Sequence, residues 1–412
     1  MIKFEKFKLS NGLTVIHHLD KSTPLVCLNI LYDVGSRDED ESRTGFAHLF
    51  EHLMFGGSVN IPSYDEPLQR VGGENNAFTS NDITNYYLTL PSANIETAFW
   101  LESDRMLSLA FSQKSLDVQR NVVIEEFKQR YLNQPYGDVW LHFRPLAYKV
   151  HPYKWDTIGK EIKHIEEAKM DDVKSFFSKH YFPGNAIMVV TGNVMLNSVQ
   201  HLCEKYFAPI PQGEKLKRNL PKEPPQEAKR TLKVETNVPA NAIYKGWHMC
   251  KRTDEQFYAY DLMSDILSRG NSARLYNELV KNQQLFSEIN AFCLGDYDEG
   301  LFMTMGKLSD GVTMEQGEAA IDKEFEKLKT ELITETELTK VKNKVESTLE
   351  FSEMSILNKA MNLAFNELLG DAANVNKESE KYQRVTSAQI QAEAVKCFTE
   401  NNASVLYYHK KN

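Results

Sequence analysis

Residues 45–57 read GFAHLFEHLMFGG. At about 100° per residue, His48, Glu51 and His52 share one narrow sector of a helix, and Phe46, Leu49, Phe50, Leu53 and Met54 fill the rest. Burying three ionisable groups in one stripe is costly unless something pairs with them. A zinc ion removes that cost, because imidazoles four residues apart reach one tetrahedral ion from consecutive turns. Glu51, offset from the two histidines, is then poised to take a proton from water. The bland alternative is an apolar core helix that happens to hold histidines. The single polar stripe, followed by the glycine stop at Gly56–Gly57, favours the metal site.

A metal site that still admits water needs a third protein ligand. The segment SLDVQRNVVIEEFKQRYL, residues 115–132, reads as a helix with Leu116, Val123, Phe127 and Tyr131 on its apolar side. Glu125 points nearly opposite that side and should be solvated. Glu126 borders the apolar face, where an inward-aimed ligand has to sit, and Gln119, two turns earlier, shares its stripe. Glu126 is the expected third ligand. The remaining histidines, from His17 to His409, lack partners at ligand spacing and read as surface or satisfied core residues.

The rest of the chain sets the frame. At 412 residues it exceeds one ordinary core, so two or more domains are expected. A net charge of −9 without a basic cluster excludes general nucleic-acid binding. No run of about 18 apolar residues exists to span a membrane. The opening MIKFEKFKLSNGLTVI alternates like a strand and has no secretion-signal pattern. The five cysteines are scattered and form no CxxC pair, so reduced thiols in the cytoplasm are expected.

The stretch PIPQGEKLKRNLPKEPPQEAKR, residues 209–230, is rich in proline and charge and reads as a linker. It separates an N-terminal domain, 1–208, from a C-terminal domain, 231–412. Both open with strand-like alternation, pass through a helical pattern ending at glycine and return to a strand (TNYYLTLP against GLFMTMGKL). An offset of 213 residues lays HLFEHLMFGGS over DLMSDILSRGNS with the apolar positions in register, so that His48, Glu51 and His52 face Asp261, Ser264 and Asp265. The reading is an α+β protein of two homologous halves, each an antiparallel-rich sheet with helices packed on one face. A long polar-faced helix is expected from Glu335 to Lys359.

HxxEH followed 74 residues after His52 by Glu126 in a VVIEE context resembles the inverzincin metallopeptidases, and within them the pitrilysin (M16) family. FKLSNGLTVI, VGSRDEDESRTGFAHLFEHLMFGG, GGENNAFTSNDITNYYLTLP, HPYKWDTIG, YFPGNAIMVVTGN and SARLYNEL extend the likeness over nearly the whole chain. The resemblance implies a zinc endopeptidase that hydrolyses peptides or unstructured segments inside a closed chamber. Zn2+ would be held by His48, His52 and Glu126, with Glu51 as general base. It also implies that Asn76, Ala77 and Phe78 bind the peptide by strand addition. Without the resemblance, NNAFTS reads as an ordinary edge strand.

Two departures from the family pattern stand out. Gln119 replaces a usual glutamate, which implies tuning of the site. The arginine and tyrosine that reach the substrate in self-sufficient relatives correspond here to Gln283 and Ser287 within KNQQLFSEINAF. Losing a charged donor at a developing oxyanion costs about 10²–10³ in rate. The expectation is therefore the zinc-bearing subunit of a heterodimer, its partner being a second M16-type chain carrying the Arg/Tyr pair, with a homodimer open to the isolated chain. The rival is a non-catalytic, core-protein-like structural subunit of the same fold.

Overall fold

A computed structural model describes residues 1–214 and 217–411. Within these residues eleven strands form two sheets. The first contains β1 (Glu5–Lys8), β2 (Thr14–Leu19), β3 (Leu25–Tyr32), β4 (Glu74–Thr79), β5 (Thr84–Pro91) and β6 (Ala186–Gly192), in the order β1-β2-β6-β3-β5-β4. The second contains β7 (Arg230–Thr236), β8 (Ala242–His248), β9 (Phe286–Leu294), β10 (Leu301–Leu308) and β11 (Ala403–Lys410), in the order β7-β11-β8-β10-β9. One neighbour pair in each sheet is parallel, β2 with β6 and β7 with β11, and the others are antiparallel. Leaving β1 aside, the two sheets share one topology. The internal repeat read from sequence is thus a repeat of structure.

Sequence accounts for which strands are central. The β3 segment LVCLNILY and the β6 segment AIMVVTG are nearly continuous apolar runs, suited to strands covered on both faces. β1 (EKFK) and β4 (ENNAFT) are polar and alternate, and both lie at sheet edges. No helix among the described residues is long and apolar enough to cross a membrane.

By packing, the chain forms two compact units whose segments are exchanged relative to the sequence halves. Unit 1 comprises Met1–Gln129, Trp155–Leu220 and Glu350–Lys377; unit 2 comprises Arg130–Lys154, Pro221–Leu349 and Glu378–Asn412. The helix Ile356–Leu368, from the second half, packs Ala360, Leu363 and Ala364 against Ile16, Cys27, Leu31 and Val189 of unit 1. The helix Val139–Ala147, from the first half, packs Phe143 and Ala147 with Tyr244, Met303 and Leu406 of unit 2. The opposite face of that second sheet, with Ile243, Trp247 and Phe302, carries the larger helical layer, including Ile321 and Phe325. Each sheet therefore has one additional helix on its second face, and that helix comes from the other half of the sequence.

One local expectation changes. The helix expected over Glu335–Lys359 is two helices, Glu335–Ser352 and Ile356–Leu368, the second capped by Ser355. The expected linker has no helix or strand among its described residues before Arg230, and Lys215 and Leu216 lie outside them. It is nonetheless anchored. Arg218 binds the carboxylates of Asp33 and Asp38 in unit 1. In unit 2, the buried Glu223 carboxylate accepts the backbone N–H groups of Lys149, Val150 and His151 at 2.8, 2.9 and 3.0 Å.

Candidate metal centre

The helix Phe46–Leu53 follows β3 in unit 1. At eight residues it is too short to be stable alone, so its packing decides its position. Ala47, Leu49, Phe50 and Met54 are fully buried. The Phe50 ring lies 4.7 Å from Tyr181 and 5.8 Å from Phe177, in near-parallel stacking. Such aromatic pairs contribute about 0.5–1.5 kcal/mol each beyond their buried area. The stop at Gly57 is steric: φ is +90°, and a Cβ there would lie 2.5 Å from the Pro62 carbonyl oxygen.

The polar stripe faces the helix Gln113–Phe127, where Leu116, Val123 and Phe127 are buried as the sequence pattern predicts. Glu125 is exposed and pairs with Lys128, whereas Glu126 is half-buried. Glu126 Oε2 lies 3.7 Å from His48 Nε2 and 3.3 Å from His52 Nε2. The two imidazole rings meet edge to face with centroids 4.8 Å apart. One ligand-capable atom from each of His48, His52 and Glu126 falls within 4.8 Å of the others, the sole such group among the described residues. Two imidazole nitrogens and a carboxylate oxygen so gathered form a donor set that fits zinc with a coordination position left open.

Glu51 is half-buried on the same helix, and the Thr79 hydroxyl donates to its Oε2 at 2.6 Å. Thr79 ends β4, whose outer edge has no neighbouring strand among the described residues. The edge strand therefore touches the carboxylate through a side chain, a contact that sequence spacing did not disclose. On that strand Asn76 and Phe78 are exposed and Ala77 half-buried, and the Ala77 N–H donates to the Asn76 side-chain oxygen at 2.8 Å. Tyr86 on β5 pairs in register with Ala77. Burial first, then neighbouring Tyr181 and Glu51, push the Tyr86 phenol well above its ordinary range, so a neutral ring backs the site. Below that ring lies Arg105, 4.4 Å from its centroid and ion-paired with Glu102 at 2.6 Å.

Gln119 is half-buried, seven residues before Glu126 on the same helix face. Gln283 and Ser287 belong to unit 2. The Gln283 amide donates to Glu278 at 2.7 Å, and the Ser287 hydroxyl to the Lys307 carbonyl at 3.3 Å. Other histidines are used structurally: His17 bonds the Val194 carbonyl at 2.8 Å, and His248 that of Ala147 at 3.0 Å.

Comparison with known proteins bears on this arrangement. The family model described as insulinase (peptidase family M16) matches residues 14–141, and that described as peptidase M16 inactive domain matches 168–345. The zinc protease PqqE of Helicobacter pylori is 33% identical over 346 residues, covering 82% of this chain and 78% of that protein. The chain belongs to the M16 peptidase family. The crystal structure of a protease from Helicobacter pylori superimposes with a TM-score of 0.93 at 29% identity, covering 99% of this M16 chain and all of that one. The β subunit of the mitochondrial-processing peptidase of Saccharomyces cerevisiae is 28% identical over 210 residues, half of this chain and 45% of that subunit.

Proposed function

We propose that this M16 chain is a zinc-dependent endopeptidase acting on peptides or unstructured segments. The observation that carries the reading is the convergence of His48, His52 and Glu126 within 4.8 Å, with Glu51 alongside on the same helix. In this reading the first three residues hold Zn2+. The ion, when bound, supplies a Lewis acid that acidifies water and polarises a carbonyl. The remaining chemistry belongs to the chain. Glu51 takes the proton from the attacking water and delivers it to the leaving amine nitrogen. Thr79 holds Oε2 of Glu51 by a hydrogen bond and so orients the carboxylate for that exchange. Gln119 supports Glu126 from the preceding turns.

The substrate adds to β4 as a further strand, with Asn76, Ala77 and Phe78 along its path. The peptide replaces Asn76 as acceptor for the Ala77 N–H, so main-chain pairing supplies affinity with little demand on sequence. The oxyanion lacks a charged donor from the expected positions, since Gln283 and Ser287 are neutral and already bonded within unit 2. A second M16-type subunit bearing an arginine and a tyrosine supplies it, and the two chains enclose the substrate in a chamber. The likeness to a peptidase β subunit supports this division of labour. Five free cysteines accord with a reducing, cytoplasmic setting.

The second reading is a structural subunit without activity. It is favoured by the inactive-domain model matching residues 168–345, although the HxxEH stripe lies outside that match. Hydrolysis of quenched fluorescent peptides by the zinc-loaded chain, alone and with a candidate partner, separates the two. The expected result is activity with the partner that Glu51→Gln abolishes while zinc stays bound. Zinc binding without turnover under any pairing overturns the enzymatic reading.

A further inference from the structure

The helix Phe46–Leu53 carries three of the four reactive side chains, yet its N-cap is Gly45, which has no side chain to bond the first-turn N–H groups, and its first turn holds no acidic residue. Those N–H groups still need acceptors. They find one from outside the helix. The buried Glu39 accepts the Gly45 N–H on Oε2 at 2.9 Å and the Ala47 N–H on Oε1 at 2.8 Å. Burial pushes this carboxyl up to about 8 against the pull of the two N–H donors.

The same turn is gripped from a second side. The Thr44 N–H donates to His164 Nδ1 at 3.2 Å, and the Thr44 hydroxyl accepts the Lys160 N–H at 2.8 Å. Gly45 has φ +87°, and a Cβ there would lie 2.7 Å from the Ile158 carbonyl oxygen. The Trp155 indole N–H donates to the Ser36 carbonyl at 2.9 Å, tying this loop to the segment that bears Glu39. The motifs VGSRDEDESRTG and HPYKWDTIG, which the zinc chemistry leaves unused, thus meet around one helical turn.

We infer that Glu39 is a positioning residue for the metal helix: its carboxyl fixes the first turn, and so the angle at which His48 and His52 face Glu126. This rests on the zinc reading of that site. Phe50 is held by aromatic packing, which is non-directional and sets the helix's angle less tightly than hydrogen bonds to its backbone. Two directed hydrogen bonds at Gly45 and Ala47 fix that angle one residue before the first ligand.

The test is Glu39→Gln, which offers one oxygen and one NH2 to two donors. Zinc affinity is measured by competition with a chromophoric chelator, and kcat and KM by peptide hydrolysis, well below the thermal midpoint of the variant. The expected result is a loss of about 10–100-fold in zinc affinity, with kcat lowered, KM unchanged and partial recovery in Glu39→Asp. Wild-type zinc affinity and kcat, with only a lower melting temperature, overturn the proposal and leave Glu39 a purely structural cap. Failure of the wild-type chain itself to bind zinc sinks the parent reading instead. Should Glu39→Gln not fold, Thr44→Val, which removes the Lys160 contact to the same turn, is judged by the same two outcomes.

Discussion

Units 1 and 2 build the same sheet, and each sets a helix after the corresponding strand, Phe46–Leu53 after β3 and Phe257–Ser268 after β8. In unit 2 the stripe is Asp261, Ser264 and Asp265. It is closed by the protein. The Tyr382 hydroxyl donates to Asp261 at 2.6 Å, and Arg269 stands 3.4 Å from Asp265, whose carboxyl burial raises. The Ser264 hydroxyl bonds back to the Asp261 carbonyl of its own helix. In unit 1 the stripe converges on another side chain with ligand chemistry, Glu126. The difference shows that topology provides a place for chemistry without providing the chemistry.

The strongest way to break this comparison is to give unit 1 the residues of unit 2. His48→Asp with His52→Asp replaces both imidazoles by the aspartates found at the repeat positions. At the offset of 213 residues Gly56 stands where unit 2 has Arg269, and the two new carboxylates would face Glu126. Zinc binding should be lost, and kcat/KM should fall by more than about 10³, read by metal analysis and peptide hydrolysis. Retention of stoichiometric zinc by the double variant would show that the metal sits elsewhere.

A smaller effect separates the units by pH. In unit 2, Glu318 accepts from Lys229 at 2.6 Å, Lys245 at 2.8 Å and Tyr407 at 2.5 Å. Burial raises its carboxyl, but these bonds outweigh burial and hold it down to about 2. The folded value lies below the unfolded one of about 4.5, so its stabilisation is complete above about pH 4.5 and is lost as pH falls toward 2. Glu318→Gln should cost on the order of 2 kcal/mol in urea unfolding at pH 7 and little at pH 2.5. Peptidase activity at pH 7 should be unchanged. A constant cost at both pH values would mean that Glu318 acts through packing alone.

What the sequence disclosed follows from the range of each interaction. The stripe of His48, Glu51 and His52 is a local periodicity, and Glu126 could be chosen over Glu125 because the apolar face of one helix fixes which neighbour turns inward. The duplicated topology was legible because apolar alternation recurs at a constant offset. The exchange of Val139–Ala147 and Ile356–Leu368 between units was not, since an amphipathic helix does not name the sheet it covers. Nor were the contacts of Glu39 and Thr79, which join residues through side chains over loops whose paths no periodicity encodes. The break at 353–355 was missed because Ser355 caps a new helix where composition stays helix-compatible.

The finest distinction between the units concerns how each helix meets its edge strand. In unit 2 the tie is Ser268, whose hydroxyl donates to the Ala291 carbonyl of β9 at 3.0 Å, a turn away from Ser264. In unit 1 the tie is made by the Glu51 carboxylate, through Thr79 on β4. A substrate strand laid on β4 would thereby be placed in register with Glu51. Thr79→Val keeps the shape of the side chain and removes the donor. The carboxylate then samples other rotamers, and kcat should fall about tenfold, close to 1.4 kcal/mol of barrier, with KM unchanged and zinc content intact. Thr79→Ser should restore most of the rate, and Ser268→Ala in unit 2 should leave it untouched. A rise in KM at constant kcat would instead make Thr79 part of the peptide-binding edge alone, and the coupling of strand to base would fall.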